Sequence, residues 1–100
     1  MASVHRTQGA DDDLLDIYLF GVERFGPTQA ARYLEELETC FHLIAENPRL
    51  GRKADRIAKN LRRHEHGSHI VMYYIVDDGV DDGIEVAAVV HKSSIRGLRF

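Results

Sequence analysis

Apolar residues recur at helical spacing through the first half of the chain. One run begins after Asp11-Asp12-Asp13, whose carboxylates suit the positive end of a helix and can cap its amides, and it continues to about Arg24. A second run extends from Pro27, which fits a first helical turn, to about Glu46. The glycine between the runs can adopt the positive φ that ends a helix, and the proline after Asn47 ends the second run. The pattern therefore predicts two helices joined as a tight αα-hairpin.

The second half of the chain has the period-two pattern of β-strands. Four strands are predicted in the chain, around Val4 and over residues 61–66, 69–76 and 84–91. The segment 69–76 is apolar on both faces, which places it inside the sheet. The last segment alternates strictly, and the residues that share one apolar face are Ile84, Val86, Ala88 and Val90. We therefore predict an α+β fold of order β-α-α-β-β-β, with the helical hairpin packed on one face of a small, mainly antiparallel sheet.

The chain of 100 residues has the size of one domain, and 44% apolar residues supply one modest core. We expect a single domain over residues 1–100, in which residues 91–100 form a basic C-terminal tail. The single cysteine, Cys40, lies in an apolar helical stripe, which indicates a buried side chain rather than a nucleophile or half of a disulfide. No run approaches the roughly 20 apolar residues of a membrane span, and the first residues lack the apolar stretch of a signal peptide. These features predict a cytoplasmic protein.

Charge is distributed unevenly, although the net charge is only −3. Residues 11–46 hold nine acids against two bases, whereas residues 49–63 hold seven bases against one acid, Asp55. Such asymmetry indicates that one part of the surface meets an acidic partner. A net acidic chain does not favour binding nucleic acid through bulk charge, because that mode neutralises several phosphates at once. An acidic protein partner and a local RNA contact both remain open.

Candidate catalytic chemistry is sparse in this sequence. The chain has no P-loop, no dinucleotide fingerprint and no GxSxG motif. His64, His66 and His69 lie close in sequence, but no cysteine or well-placed carboxylate completes a metal site, so we expect no metal and no cofactor. Metal-free RNA cleavage needs a base, an acid and cations for the phosphate charge. Residues of suitable type, whose spacing alone does not show that they converge, are Arg62, Arg63, His64, Tyr73, Tyr74, His91 and Lys92.

Several segments together resemble the ParE toxins of the RelE/ParE toxin–antitoxin superfamily. The most specific are Glu46-Asn47-Pro48-Arg49-Leu50-Gly51-Arg52 and Gly67-Ser68-His69. Less specific segments, in matching order along the chain, are Asp13–Tyr18, Phe25-Gly26, Gln29-Ala30, Arg32-Tyr33, Leu61-Arg62-Arg63, Ile70–Tyr74 and Val89-Val90-His91. The resemblance covers nearly the whole chain and implies the same β-α-α-β-β-β fold.

The resemblance implies the toxin of a type II toxin–antitoxin module, silenced by a ParD-type antitoxin. Antitoxins of that kind bind operator DNA through a ribbon-helix-helix part and wrap the toxin with a C-terminal segment. The toxin would then form a hetero-oligomer and meet operator DNA only through its partner. ParE toxins trap DNA gyrase and stop replication, whereas the RelE branch cuts messenger RNA on the ribosome. The acidic net charge, and Ala87 and Ala88 where nuclease relatives often carry an arginine, favour gyrase inhibition by binding without catalysis.

Two alternatives stay open beside gyrase inhibition. A ribosome-dependent endoribonuclease of the RelE kind would use His91 with Arg62 or Arg63. Its structural sign would be His91, a tyrosine and two arginines around one phosphate-sized hollow. A chain without toxic activity would only assist repression of its operon.

Two groups of residues are candidate binding sites under this resemblance. A disordered acidic and apolar antitoxin segment needs a large surface with cations at its rim. The density of bases in one loop predicts that this rim includes Arg49, Arg52, Lys53 and Arg56. For the target, we expect contacts from the basic and aromatic tail, namely His91, Lys92, Arg96, Arg99 and Phe100.

Overall fold

Two helices and five strands make up the described part of the chain, which in this computed structural model covers residues 2–77, 79 and 82–95. The helices are α1 (Gln8–Phe25) and α2 (Pro27–Glu46). The strands are β1 (Ser3–Arg6), β2 (Arg52–Lys53), β3 (Arg62–His66), β4 (His69–Asp77) and β5 (Asp82–His91). Short 3-10 turns follow α2 at Pro48–Leu50 and β5 at Lys92–Ile95. Within these residues, neither helix carries the apolar length that a membrane crossing requires.

The strands form one sheet in the order β1-β5-β4-β3-β2. β1 runs parallel to β5, and every other neighbouring pair in the described sheet is antiparallel. The apolar strand β4 lies in the centre, as predicted, and the turn Gly67-Ser68 joins it to β3. The predicted fold class and element order are confirmed, with the two-residue strand β2 as an addition in the basic loop.

Helix α1 begins earlier than its aspartates predict. Thr7 is the N-cap, because its hydroxyl accepts a hydrogen bond from the Ala10 amide at 3.1 Å and donates one to the Ala87 carbonyl at 3.0 Å. The run Asp11–Asp13 therefore lies inside the helix, and the prediction that it precedes and caps α1 is wrong. The predicted end of the helix is confirmed at Gly26, which has a φ of 91°.

A β-bulge in β5 changes which side chains face the helices. Along the β4–β5 ladder the register shifts between Met72 and Tyr73, and Ala87 is the extra residue on β5. One extra residue reverses the alternation of the strand. The β5 side chains in the main core are consequently Ile84, Val86 and Val89, and those on the opposite face are Ala88 and Val90. The prediction of one continuous apolar face along this strand is therefore wrong.

The main core lies between the hairpin and the sheet. Its buried members include Leu14, Leu37, Cys40, Phe41 and Ile44 from the helices and Val71, Tyr73, Ile84, Val86 and Val89 from the sheet. Cys40 is buried, as predicted, and burial raises the pKa of its thiol. On the opposite face of the sheet, Ile70 and Met72 pack under the loop residues Ala54 and Leu61. This loop therefore covers part of the face that the hairpin leaves open.

Candidate functional site

The segment that follows α2 is held in place by a tyrosine from the centre of the sheet. The hydroxyl of Tyr73 donates to the Pro48 carbonyl at 2.7 Å and accepts the Gly51 amide at 2.9 Å. Arg62 adds a hydrogen bond from Nη1 to the Gly51 carbonyl at 2.7 Å. Burial raises the pKa of the Tyr73 phenol, so the hydroxyl keeps the proton that it donates. The motif over residues 46–52 is therefore anchored to the sheet, and it positions the basic residues around it.

Close packing explains the glycine within this motif. A Cβ at Gly51 would lie 2.5 Å from the Tyr73 hydroxyl and 2.6 Å from the Arg63 carbonyl, closer than side-chain carbons approach such atoms. The φ of Gly51 is −77°, which any residue adopts, so the requirement is for space rather than for an unusual backbone.

The four cations predicted for the antitoxin rim lie along the β2 edge of the sheet. Arg49 is in the 3-10 turn after α2, Arg52 and Lys53 form β2, and Arg56 follows in the next loop. All four side chains are exposed. In the part of the chain that the structure describes, none of them forms an ion pair with an acidic side chain. Their charge is therefore available to a partner from outside.

This basic edge presents charge on both faces of the sheet. Arg52 and Lys53 pair with successive residues of β3, so their side chains point in opposite directions. Two apolar side chains of the same stretch, Leu50 and Ile57, are also exposed. The edge therefore combines free positive charge with apolar contact area, which suits a segment that wraps around it rather than one that lies flat.

Tyr33 and three histidines form a polar cluster at one end of the sheet. The Tyr33 hydroxyl lies 2.6 Å from His69 Nδ1 and 3.3 Å from the His66 carbonyl, to which it donates. The ring of His91 packs edge-on against that of His69, with 5.4 Å between the centroids. Burial, and then the neighbouring His91 and His66, lower the pKa of His69, which is therefore neutral at pH 7. The cluster connects α2 to the β3–β4 turn and to the end of β5.

The histidines that are close in sequence do not surround one point. His66 and His69 face each other across the β3–β4 turn, whereas His64 lies two residues farther along β3. Burial lowers the pKa of His64 as well. Among the residues that the structure describes, no group of three or more histidine, cysteine or acidic side chains could hold a metal ion.

A groove of about 1040 Å³ opens between α1, the first half of α2 and the end of β5. Its lining includes the apolar side chains Ile17 and Phe20, the carboxylates of Asp13, Asp16 and Glu36, and the guanidinium groups of Arg24 and Arg32. Asp13 also bridges the two layers, because its Oδ2 accepts the Val89 amide at 2.9 Å. The groove borders the polar cluster through Tyr33, His69 and His91.

The groove contains the residue types that RNA cleavage would require, but not in the expected arrangement. His91 and Tyr33 share it with two arginines, yet its volume is far larger than a phosphate group and three carboxylates line it as well. The guanidinium of Arg24 lies over the Phe20 ring, 5.3 Å from its centroid, so this cation already makes a cation–π contact within α1. The groove is therefore a mixed apolar and charged surface rather than a phosphate site.

The histidine and arginine named for RNA cleavage do not converge. His91 pairs with His69 on β4, whereas Arg62 pairs with Tyr73, four residues farther along that strand. Four residues of an extended strand span about 13 Å. Arg62 also donates a hydrogen bond to the Gly51 carbonyl in the segment after α2. In this conformation the two side chains are therefore engaged at separate places on the sheet.

Arg63, the second candidate, lies on the face of the sheet away from the helices. Its Nη2 is 2.8 Å from Glu65, and Lys92 approaches the same carboxylate at 3.6 Å. Lys92 and His91, the two predicted target-binding residues that the structure describes, therefore lie on opposite faces at the end of β5. The remaining residues of that prediction lie outside the described residues and are Arg96, Arg99 and Phe100.

Helix α1 exposes large apolar side chains that the hairpin core does not use. Leu15, Leu19 and Phe20 are 57%, 55% and 57% exposed, and Phe25 at the end of the helix is 60% exposed. Leu15 and Leu19 lie one turn apart, whereas Phe20 lines the groove. Exposed apolar area on two sides of one helix indicates contact with another protein segment. The prediction of one apolar face on α1 did not include this surface, although the excess of leucine and phenylalanine in the helix is visible in the sequence.

Comparison with known proteins finds matches along most of the chain. Residues 4–96 match the family model described as ParE toxin of type II toxin-antitoxin system, parDE. Proteins named Toxin ParE1 are 37% identical over 84 residues in Caulobacter vibrioides and 35% identical over 83 residues in Mycobacterium tuberculosis. The alignments cover 84% and 83% of this chain and 82% of each relative. A chain from the structure of the chromosomal ParDE TA system from P. aeruginosa has a similar fold, with a TM-score of 0.73 over 91% of this chain and 96% of that chain, at 19% identity.

Proposed function

This chain belongs to the ParE toxin family of type II toxin–antitoxin systems, and on that premise we propose that it stops growth by inhibiting DNA gyrase until a ParD-type antitoxin covers it. The proposed inhibition is stoichiometric binding rather than catalysis. The protein would therefore act through surfaces that meet other macromolecules, and its potency would follow the affinity of those contacts.

The separation of His91 from Arg62 is the observation that carries the proposal. RNA cleavage without a metal requires an acid, a base and a phosphate-binding cation within reach of one reacting group. Here the backbone positions of Arg62 and His91 are offset by about 13 Å along the sheet, and the Arg62 guanidinium is bonded to the Gly51 carbonyl. The alternative candidate, Arg63, is on the other face beside Glu65. Action by binding needs no such convergence.

The exposed surfaces support a ParD-type partner. An antitoxin segment that is acidic and apolar complements the free cations and exposed aliphatic side chains of the basic edge. The apolar side chains on α1 offer further area for a segment that passes over the hairpin. Because a disordered segment loses entropy when it folds on binding, it needs a large contact area of this kind. The complex with the antitoxin would be a hetero-oligomer that reaches operator DNA through the antitoxin alone.

Two biochemical assays on the same purified toxin test the proposed target. In the first, gyrase supercoils relaxed plasmid in the presence of increasing toxin, and the products are examined for both inhibition and cleaved DNA. In the second, ribosomes carrying messenger RNA are incubated with the toxin, and the RNA is mapped for breaks. We expect inhibition and cleaved plasmid in the first assay and intact RNA in the second. A slight excess of antitoxin, added as a control, is expected to restore supercoiling.

Cleaved messenger RNA with unaffected gyrase would contradict the proposal and favour the endoribonuclease alternative. A growth test separates both activities from a chain that only assists repression. Expression without antitoxin is expected to arrest growth, and co-expression of the antitoxin is expected to restore it. Normal growth at verified expression levels would show that the chain has no toxic activity of its own.

A further inference from the structure

One face of α1 carries a row of exposed side chains that belongs neither to the core nor to the groove. Side chains at four-residue spacing lie on successive turns of the same helix face, and here they are Asp11, Leu15, Leu19 and Glu23. All four are exposed, and none of these described side chains lines the groove. Leu15 and Leu19 therefore form an apolar strip, the leucine strip, with an acid at each end.

The charges around the leucine strip are mostly negative. Asp12 lies three residues before Leu15 and adds another acid. The nearby base Arg6 is already used, because its guanidinium pairs with Asp11 at 2.9 Å and approaches Glu38 at 3.8 Å. Over residues 8–46, which the structure describes throughout, the charged side chains outside the groove include no lysine or arginine. Two copies of this face would therefore repel each other, and the strip favours a basic partner.

The basic edge of the same chain has the complementary composition. None of its four cations pairs with an acidic side chain that the structure describes, and the aliphatic side chains of Leu50 and Ile57 are exposed among them. The acid of this stretch, Asp55, accepts the Asn60 amide at 2.9 Å within its own loop. The basic edge thus presents two aliphatic side chains among positive charges, whereas the leucine strip presents two among negative charges.

Within one chain these two surfaces lie too far apart to meet. The basic edge is at β2, three strands from β5, which is about 14 Å at the spacing of strands in a sheet. α1 lies over β5, where Asp13 accepts the Val89 amide, and the leucine strip is on the exposed side of that helix. Because the helices and the sheet share one core, this separation is fixed. Contact between the two surfaces therefore requires two copies of the chain.

We propose that the basic edge of one copy docks on the leucine strip of another. Leu50 and Ile57 cover the strip, and the cations of the edge pair with the acids at its ends. A contact between two different surfaces leaves one of each free in the pair, so further copies add head to tail. The proposal concerns the chain alone and does not rest on inhibition of gyrase. An antitoxin bound at the basic edge would compete with the second copy.

Two variants of the full chain block the two surfaces separately. Leu15→Ser with Leu19→Ser removes the leucine strip, and Lys53→Glu with Arg56→Glu reverses two charges of the basic edge. Sedimentation equilibrium at low salt gives the average mass over a concentration series. For the parent chain we expect a mass that rises beyond two chains, and that returns to one chain in about 1 M salt, where charges more than about 3 Å apart are screened. Each variant alone is expected to lose at least about tenfold in association constant.

A mixture of the two variants tests whether the contact joins different surfaces. The leucine variant keeps its basic edge and the edge variant keeps its leucine strip, so the mixture is expected to form a pair of chains that cannot grow further. Association in the mixture also shows that both variants are folded. The matched control is Phe20→Ser with Leu43→Ser, which removes two comparably exposed apolar side chains outside the strip, and it is expected to associate like the parent.

Four results would overturn the proposal. The first is a parent chain that keeps the mass of one chain at low salt up to about 1 mM, the weak end of measurable association. The second is association of either variant by itself, which would show that two like surfaces meet. The third is a mixture that stays at one chain although both variants keep the circular dichroism spectrum of the parent. The fourth is an equal loss in the control, which would indicate non-specific apolar contact.

Discussion

Tyr73 illustrates, at the residue scale, how a side chain with candidate chemistry is used to hold the fold together. It was a candidate for phosphate chemistry by type, but it lies wholly inside the core. Its hydroxyl satisfies one amide and one carbonyl of the segment after α2. Arg62, another candidate, is bonded to the same segment. Both residues therefore hold the segment over residues 46–52, which resembles ParE toxins, in its conformation.

Removing the Tyr73 hydroxyl is expected to destabilise the fold. In Tyr73→Phe the Gly51 amide and the Pro48 carbonyl lose a buried partner. Leaving buried polar groups unsatisfied costs about 1–3 kcal/mol. Urea unfolding followed by circular dichroism measures the loss. Tyr74→Phe is the control, since the Tyr74 hydroxyl makes no hydrogen bond to a described residue, and equal losses in the two variants would contradict this role.

His69 is expected to make stability sensitive to mild acid. Burial lowers the pKa of both His69 and His64, so the folded protein binds fewer protons than the unfolded chain below about pH 6.5. The stability that these histidines contribute is fully present above that pH. It is lost as the pH falls through their lower folded-state pKa values. We expect the urea midpoint of His69→Gln to fall less steeply with pH than that of the parent chain. His42→Gln, at an exposed position of α2, is the control, and identical slopes for His69→Gln and the parent would refute the assignment.

At the scale of elements, the start of α1 and the bulge in β5 support each other. The Thr7 hydroxyl accepts a hydrogen bond from the Ala10 amide in the first turn of α1, and it donates one to the carbonyl of Ala87, the extra residue of the bulge. Asp13 then holds the next part of β5 through the Val89 amide. With the Thr7 amide, which donates to the Val86 carbonyl at 3.1 Å, the helix N-terminus and the irregular strand therefore share three hydrogen bonds, and each element satisfies backbone groups that the other leaves unpaired.

Thr7→Val tests this connection without changing side-chain shape. The substitution removes the cap of α1 and the hydrogen bond to Ala87 together. Loss of an N-cap costs about 0.5–2 kcal/mol, and we expect a value near the upper end because a second bond is lost. Unfolding in urea gives the difference from the parent. Thr39→Val, at an exposed position within α2, is the matched control; a loss no larger than in this control would show that the hydroxyl does not connect the two elements.

At the scale of the whole molecule, charge is separated in space as well as in sequence. The acids of the hairpin lie on one layer, and the bases after α2 gather at the β2 edge of the sheet. The exposed apolar side chains of α1 and of the basic edge lie outside the core. Exposed charge and exposed apolar area are thus spread over the molecule rather than gathered at one place.

Charge reversal at the basic edge is expected to slow antitoxin binding. The variant Lys53→Glu with Arg56→Glu replaces attraction of an acidic segment by repulsion, and we expect the association rate at low salt to fall about tenfold and to depend less on salt. Stopped-flow measurements over a series of salt concentrations check both effects. Lys59→Glu is the control for reversing one charge in this region. Lys59 is an exposed base of the same loop and lies outside the predicted rim. Unchanged kinetics in the double variant would eliminate this surface.

Deleting Ile95–Phe100 is expected to separate toxicity from neutralisation. The tail, which follows β5, is predicted to contact the target, whereas the antitoxin rim is predicted at the β2 edge, three strands from β5 in the sheet. The truncated chain should no longer arrest growth but should still bind the antitoxin with its original affinity. Growth after induction and calorimetric titration measure the two properties, with thermal unfolding as a check on folding. Continued arrest would place the target surface elsewhere.

Local signals fixed the parts of this structure that depend on neighbouring residues. Helical periodicity, Gly26 and Pro27 predicted the hairpin, because dihedral preferences and apolar spacing act within a few residues. The two-sided apolar composition of residues 69–76 likewise predicted the central strand, since only a strand covered on both faces buries such a segment. The resemblance to ParE toxins rested on the same kind of local segments. The binding sites, by contrast, stay predictions.

Contacts between distant residues decided the rest. The alternation of β5 reads as unbroken, and only pairing with β4 shows that Ala87 is an extra residue. Thr7 became a cap because the sheet places it beside that bulge, and Tyr33 met His66 and His69 because α2 crosses the end of the sheet. The sequence therefore determined the two helices, the main strands and their order along the chain through local energetics, whereas the order of the strands in the sheet depended on pairing between distant segments. The three-dimensional packing decided which polar groups form hydrogen bonds with one another, because hydrogen bonds form between neighbours in space. It thereby also decided which of the candidate residues hold the fold together.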